Sequence, residues 1–116
     1  MAQLELKEQD ILNQIMEFLS RKKIKHAHVR NTGTIFVRNG KTSFGRPKFH
    51  QKGVPDILGC HKGKALAIEV KSATGRLSDE QIDWLKTWEL AGGYFIVSRN
   101  LDQVINFIET IDKMKE

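Results

Sequence analysis

The sequence predicts an α/β fold, a mixed β-sheet flanked by α-helices. Three observations carry that expectation. Helical spacing of apolar residues opens and closes the chain. Two apolar runs, 54–60 and 65–71, flank a short glycine-containing connection and read as a hairpin. A helix then stands between that hairpin and a later strand, a connection that implies a mixed sheet with helices packed on it. With 116 residues, 40% hydrophobic and 28% charged, the chain suits one compact domain over 1–116 and is not of disordered composition.

Taken in order, residues 8 to about 22 form an amphipathic helix, since Ile11, Leu12, Ile15, Phe18 and Leu19 recur at helical spacing. Arg21, Lys22 and Lys23 sit at its C-terminal end, where the helix dipole favours cations. His26 to Asn31 and Thr34 to Arg38 read as strands, and Asn39-Gly40 is a hairpin signal because both residues tolerate positive φ. Residues 41–53, polar, basic and glycine-containing, read as a loop. In the next hairpin His61-Lys62-Gly63-Lys64 is a four-residue connection. A second loop spans 72–77. Ser78-Asp79-Glu80-Gln81 is a capping box that opens a helix to about Ala91, expected to bury Ile82, Leu85 and Trp88 before Gly92-Gly93 stops it. Tyr94 to Ser98 reads as a buried strand, and Leu101 to about Met114 as a last helix with Val104, Ile105, Ile108 and Ile111 on its apolar face.

The chain carries 19 basic and 14 acidic residues, a net charge of +5. That balance suits a polyanion, nucleic acid first and an anionic membrane second, although an ordinary basic protein has the same composition. A single cysteine, Cys60, excludes an intrachain disulfide and fits a reducing compartment. The first residues lack the apolar centre of a secretion signal, and no apolar run approaches the ~20 residues of a membrane span. An intracellular, cytoplasmic, soluble protein is the expectation.

The chemistry concentrates in the 54–71 hairpin. A connection at 61–64 pairs Cys60 with Ala65 and carries Asp56 to the position across from Glu69, where Cβ atoms lie about 4.5–5.5 Å apart. Facing like charges are destabilising there, and a cation between them is one resolution. Lys71, two residues beyond Glu69, falls on the same face, while Leu66, Ile68 and Val70 point into the core. Two carboxylates and an amine at one spot suit magnesium or manganese, which neutralise phosphate charge and lower the pKa of a bound water. Lys71 then positions that water or stabilises developing negative charge. A solvated Asp–Glu–Lys cluster forming ordinary ion pairs is the competing reading. Gly53-Val54-Pro55-Asp56 weighs against it: proline belongs at a strand start or edge, and glycine lets the chain turn closely into the site.

Gly53-Val54-Pro55-Asp56 followed by Glu69-Val70-Lys71 resembles the PD-(D/E)XK nuclease superfamily, with its restriction-endonuclease-like core. Arg30-Asn31-Thr32-Gly33, Gly53-Val54-Pro55-Asp56-Ile57, Ala67-Ile68-Glu69-Val70-Lys71 and Gly75-Arg76-Leu77-Ser78-x-x-Gln81 together resemble the virus-type replication-repair nuclease (VRR-NUC) domain over nearly the whole chain. The resemblance implies that Asp56, Glu69 and the Val70 carbonyl bind a metal, Mg2+ or Mn2+, and that Lys71 assists the nucleophilic water. It also implies a glutamate on the first helix, matched by Glu8, with Glu5 as the alternative. Glu8 shares a helical face with Ile11, Leu12, Ile15 and Leu19, which favours an inward carboxylate, whereas the helix dipole alone would also favour a first-turn glutamate. Gln81 matches a family position and is equally a capping-box side chain.

Stand-alone members of the resembled family are small, often viral or bacterial, and cut branched DNA such as Holliday junctions as homodimers. The implied activity is therefore structure-specific, metal-dependent endonucleolytic cleavage of DNA. Arg30, Asn31, Arg46, Lys48, Lys52 and Arg76 flank the motifs and suit the DNA backbone, although any one of them alone reads as a solvated residue. Nothing resembles a base-reading helix, a zinc site or a small-molecule cofactor site, and the histidines are scattered. His50 reads as a loop residue. Trp84 and Trp88, at helical spacing, read as core or as a partner surface. A non-catalytic DNA-binding module and a sequence-specific restriction-type enzyme are the rival readings.

Overall fold

The computed structural model describes residues 6–29, 34–45 and 51–114. Its elements run α1 (Glu8–Arg21), β1 (Lys25–His28), β2 (Thr34–Arg38), β3 (Lys41–Gly45), β4 (Ile57–His61), β5 (Lys64–Val70), α2 (Asp79–Leu90), β6 (Tyr94–Ser98) and α3 (Leu101–Lys113). A four-stranded sheet has the order β1-β4-β5-β6. β1 and β5 lie antiparallel to β4, and β6 lies parallel to β5 after the α2 crossover. This is the mixed sheet flanked by helices that the sequence predicts.

Both hairpin signals act as their chemistry requires. Asn39 and Gly40 have φ of 52° and 74° and join β2 to β3, a separate two-stranded sheet. The stretch 41–45 is therefore a strand rather than the start of a loop, because that turn pairs Lys41 with Arg38 and Gly45 with Thr34. At the β4–β5 turn only Lys62 and Gly63, with φ of 52° and 77°, leave the ladder; His61 and Lys64 still pair. The connection is tighter than the four residues expected, and the register is unchanged, with Cys60 opposite Ala65 and Ile57 opposite Ile68.

The core lies between one sheet face and helices α1 and α3. Ile11, Leu12, Ile15 and Leu19 pack with Ile57, Leu66, Ile68 and Val70, and with Val104, Ile108 and Ile111. Burying each such side chain contributes roughly 1.5–3 kcal/mol. Strand alternation turns Ala67 and Glu69 to the opposite face, where both are also buried. α2 packs against β6 and buries only Leu85 fully; Ile82 is exposed and Trp88 half-buried, against expectation. Tyr94 to Val97 are half-buried rather than buried, because β6 is the sheet's edge strand. Among the described residues no helix is long and apolar enough to cross a membrane.

Candidate functional site

The chain enters the site through Gly53. Its φ of +81° is left-handed, and an added Cβ would lie 2.7 Å from the Gln81 nitrogen and closer still to the Glu80 carbonyl. The 53–56 segment is thus seated against the first turn of α2. Gly53→Ala is expected to cost about 2–4 kcal/mol through strained φ and overpacking, roughly 8–15 °C in melting temperature, measurable by thermal unfolding. Pro55 follows, buried and just outside β4, so its missing N–H breaks no ladder bond.

Asp56 lies one residue before β4 and continues its register toward Glu69. Its Oδ2 accepts the Val70 N–H at 2.7 Å, and its backbone carbonyl accepts the Val29 N–H at 2.7 Å. Glu69, near the end of β5, is only 2% exposed. Its Oε1 accepts the Gln81 side-chain amide at 3.2 Å and lies 3.9 Å from Lys71 Nζ. Its Oε2 is buried and has no hydrogen-bond partner among the described residues. Burial, and then the facing Asp56 carboxylate, push the Glu69 carboxyl up to about 8, against a lesser opposing pull from Lys71.

An unpartnered buried carboxylate oxygen beside a second carboxylate is costly in a protein that holds nothing there. The donor set of Asp56 and Glu69, with the Val70 peptide between Glu69 and Lys71, offers the hard oxygens that magnesium or manganese take. The fit is to a site with few side-chain ligands: among the described residues no three His, Cys, Asp or Glu side chains form a metal-ligand cluster. Glu8 and Gln9, at the start of α1, line the same cleft of about 310 Å3, together with Leu12, His28, Val70 and Gln81. Glu8 is exposed, however, not buried on the apolar stripe. It stands at the helix start, where the stripe runs out into the open cleft, so it does not bear the desolvation cost of a core-facing carboxylate.

Gln81 caps α2 and also contacts Glu69. Its Oε1 accepts the Ser78 N–H at 2.9 Å and its own N–H donates to Ser78 Oγ at 3.2 Å, completing the capping box, while its Nε2 donates to Glu69. Beyond Lys71, the loop is held by Arg99, whose Nη1 donates to the carbonyls of Ser72 and Gly75 at 2.6 and 2.7 Å. Sequence reasoning missed Arg99, which no local motif marks. It also missed His28, whose place in the cleft follows from the pairing of His28 with Ile57, next to Asp56. The other described histidines are elsewhere: His26 bonds the Ile24 carbonyl and His61 bonds Asp112.

Of the expected backbone-binding residues, Lys52 and Arg76 are exposed. Arg30, Asn31, Arg46 and Lys48 lie outside the described residues, as do His50 and Glu5. A larger, shallower depression of about 720 Å3 lies at the other end of β5, between Lys62, Lys64, Gly92 and Tyr94, and has no carboxylate among the described residues of its walls.

A mixed sheet whose central hairpin brings an aspartate, a buried glutamate and a lysine to one cleft is the frame of the PD-(D/E)XK nucleases. The family model of the VRR-NUC domain matches residues 6–99, most of the chain, and the protein belongs to that family. It is accordingly a nuclease of the PD-(D/E)XK type, a hydrolase with DNA as its substrate; nucleases of this type generally use divalent metals. A search of curated protein sequences finds no match to the chain.

Proposed function

We propose that this chain is a magnesium- or manganese-dependent endonuclease that cuts branched DNA, such as a four-way junction, by recognising its structure and not its sequence. The observation that carries the metal is the Asp56–Glu69 pair: Glu69 is buried, one of its oxygens has no hydrogen-bond partner among the described residues, and its proton is held up to about 8 by burial and the facing Asp56. A cation there lets both carboxylates ionise together.

In this reading Asp56, Glu69 and the Val70 carbonyl hold the ion, which supplies charge neutralisation at the phosphate and a more acidic bound water. Gln81 fixes the Glu69 carboxylate through its Oε1. Lys71 orients the attacking water and offsets negative charge that grows on the phosphate oxygens. Glu8, at the open side of the same cleft, stands close enough to Glu69 to raise its pKa and would add to the negative charge that the ion balances. Lys52 and Arg76, with Arg30, Asn31, Arg46 and Lys48, meet the DNA backbone, in keeping with the net charge of +5. One site per chain makes one cut, so paired cuts across a junction call for a two-fold homodimer.

The test is a cleavage panel of four-way junction, flap, splayed arm and linear duplex, each with magnesium, manganese and chelator. Metal-dependent nicks concentrated in the branched substrates are expected. DNA binding without product in either metal would identify a non-catalytic binding module, and cutting of linear duplex at one defined motif a restriction-type enzyme.

A further inference from the structure

α2 carries a second cleft, beside the first. Gln81, Trp84 and Trp88 fall along one strip of the helix, three and seven residues apart. At about 1.5 Å of rise per residue, Trp84 lies roughly 4.5 Å and Trp88 roughly 10.5 Å along the axis from the glutamine that holds Glu69. The two indoles stack with ring centres 4.8 Å apart and planes 24° apart. Trp88 is locked from below: its Nε1 donates to the Tyr94 carbonyl at 3.0 Å, and its ring occupies the space a Cβ on Gly93 would take. The Trp84 Nε1 donates to Gln51 Oε1 at 3.2 Å. Both indole N–H groups are thus satisfied, and the rings are held in place.

This pair is not part of the main core, whose buried and partly buried members include neither tryptophan. The rings are half-buried and line a cleft of about 430 Å3 whose walls include Lys52 and Asp83. A rigid aromatic pair beside a lysine is the combination that receives a nucleobase and its phosphate. We propose that the Trp84–Trp88 pair is a stacking subsite for an unpaired nucleobase of the DNA being cut, with Lys52 meeting the adjoining phosphate. The proposal rests on the nuclease reading above and adds a physical basis for preferring DNA with unpaired bases.

The chain has two tryptophans in all, so its tryptophan emission comes from this cleft alone. The test titrates the protein, with calcium replacing magnesium to hold back the chemistry, with splayed-arm DNA and with blunt linear duplex, reading emission and DNA anisotropy together. Quenching by the splayed arm and not by the blunt duplex is expected. Trp84→Leu should weaken splayed-arm binding roughly tenfold or more, with less than a twofold change for the duplex, and Trp84→Phe should retain most of the affinity. Splayed-arm DNA that fails to bind, or binds without quenching, overturns the proposal. So does an equal loss on both DNAs in Trp84→Leu, or an emission change that grows with protein concentration in the absence of DNA, which would mark a contact between two copies. If Trp84→Leu does not fold, the wild-type emission decides. Cleavage of branched DNA without quenching would remove the subsite and leave the nuclease; quenching without cleavage would do the reverse.

Discussion

Asp56→Ala and Lys71→Ala are each expected to abolish DNA cleavage, by at least about a thousandfold, while the protein stays folded. The two variants fail for different reasons. Asp56 contributes a carboxylate to the proposed ion and also accepts the Val70 N–H at 2.7 Å, so Asp56→Ala loses a ligand and frees the peptide that joins Glu69 to Lys71. Lys71 is only partly buried and its ammonium sits 3.9 Å from Glu69 Oε1, so Lys71→Ala removes a positive charge and leaves the backbone alone. Manganese binding should therefore weaken strongly in Asp56→Ala and survive in Lys71→Ala. Cleavage rates, with titration calorimetry beside them, separate the two. Full activity in either variant would falsify the site.

The second large effect is on stability. The Glu69 carboxyl stands at about 8 in the folded, metal-free protein, raised from an ordinary 4.5 by burial first and Asp56 second. Between those pH values the folded state keeps a proton that the unfolded state has lost. Stability of the metal-free protein must therefore fall as pH rises from about 4.5 to about 8, and then level off. Glu69→Gln keeps the shape and an Oε1 for Gln81 but carries no charge. It should flatten that dependence and make the metal-free protein more stable than wild type at pH 8, by on the order of a few kcal/mol, while cleavage is lost. Saturating manganese should raise the wild-type melting temperature and leave that of Glu69→Gln nearly unchanged. Denaturant unfolding at pH 5 and pH 8, with and without metal, checks all three statements; a Glu69→Gln variant less stable than wild type at pH 8 would show that Glu69 is a structural ionic group instead.

The sheet was legible because turn chemistry and strand alternation are local. A β4–β5 connection at 61–64 implies the register that sets Asp56 toward Glu69, and the shorter turn at Lys62-Gly63 keeps it. Burial was less legible because it depends on neighbours that sequence does not specify. Tyr94 to Val97 look like a buried strand, yet β6 has a partner on one side only. Ile82 fits the apolar spacing of α2 and still faces solvent, since that helix turns its Gln81 and Leu85 side inward. Glu69 shows the opposite case: an acidic residue alternating with Ile68 and Val70 gives no hint that its face is also covered. Glu8 reaches the cleft as its helical angle predicts but is exposed rather than buried, because the apolar stripe of α1 ends at the cleft mouth. His28 and Arg99 reach the site region through tertiary pairing, and no spacing rule points to either.

One gel tests the metal-dependent cutting centre most directly. Purified protein is incubated with a four-way junction in manganese, in manganese with excess chelator, and as Lys71→Ala in manganese. Nicked product from the wild type in manganese alone is the predicted result. Equal product in chelator, or from Lys71→Ala, or none from the wild type while the junction is bound, would contradict a metal-dependent cutting centre at Asp56, Glu69 and Lys71.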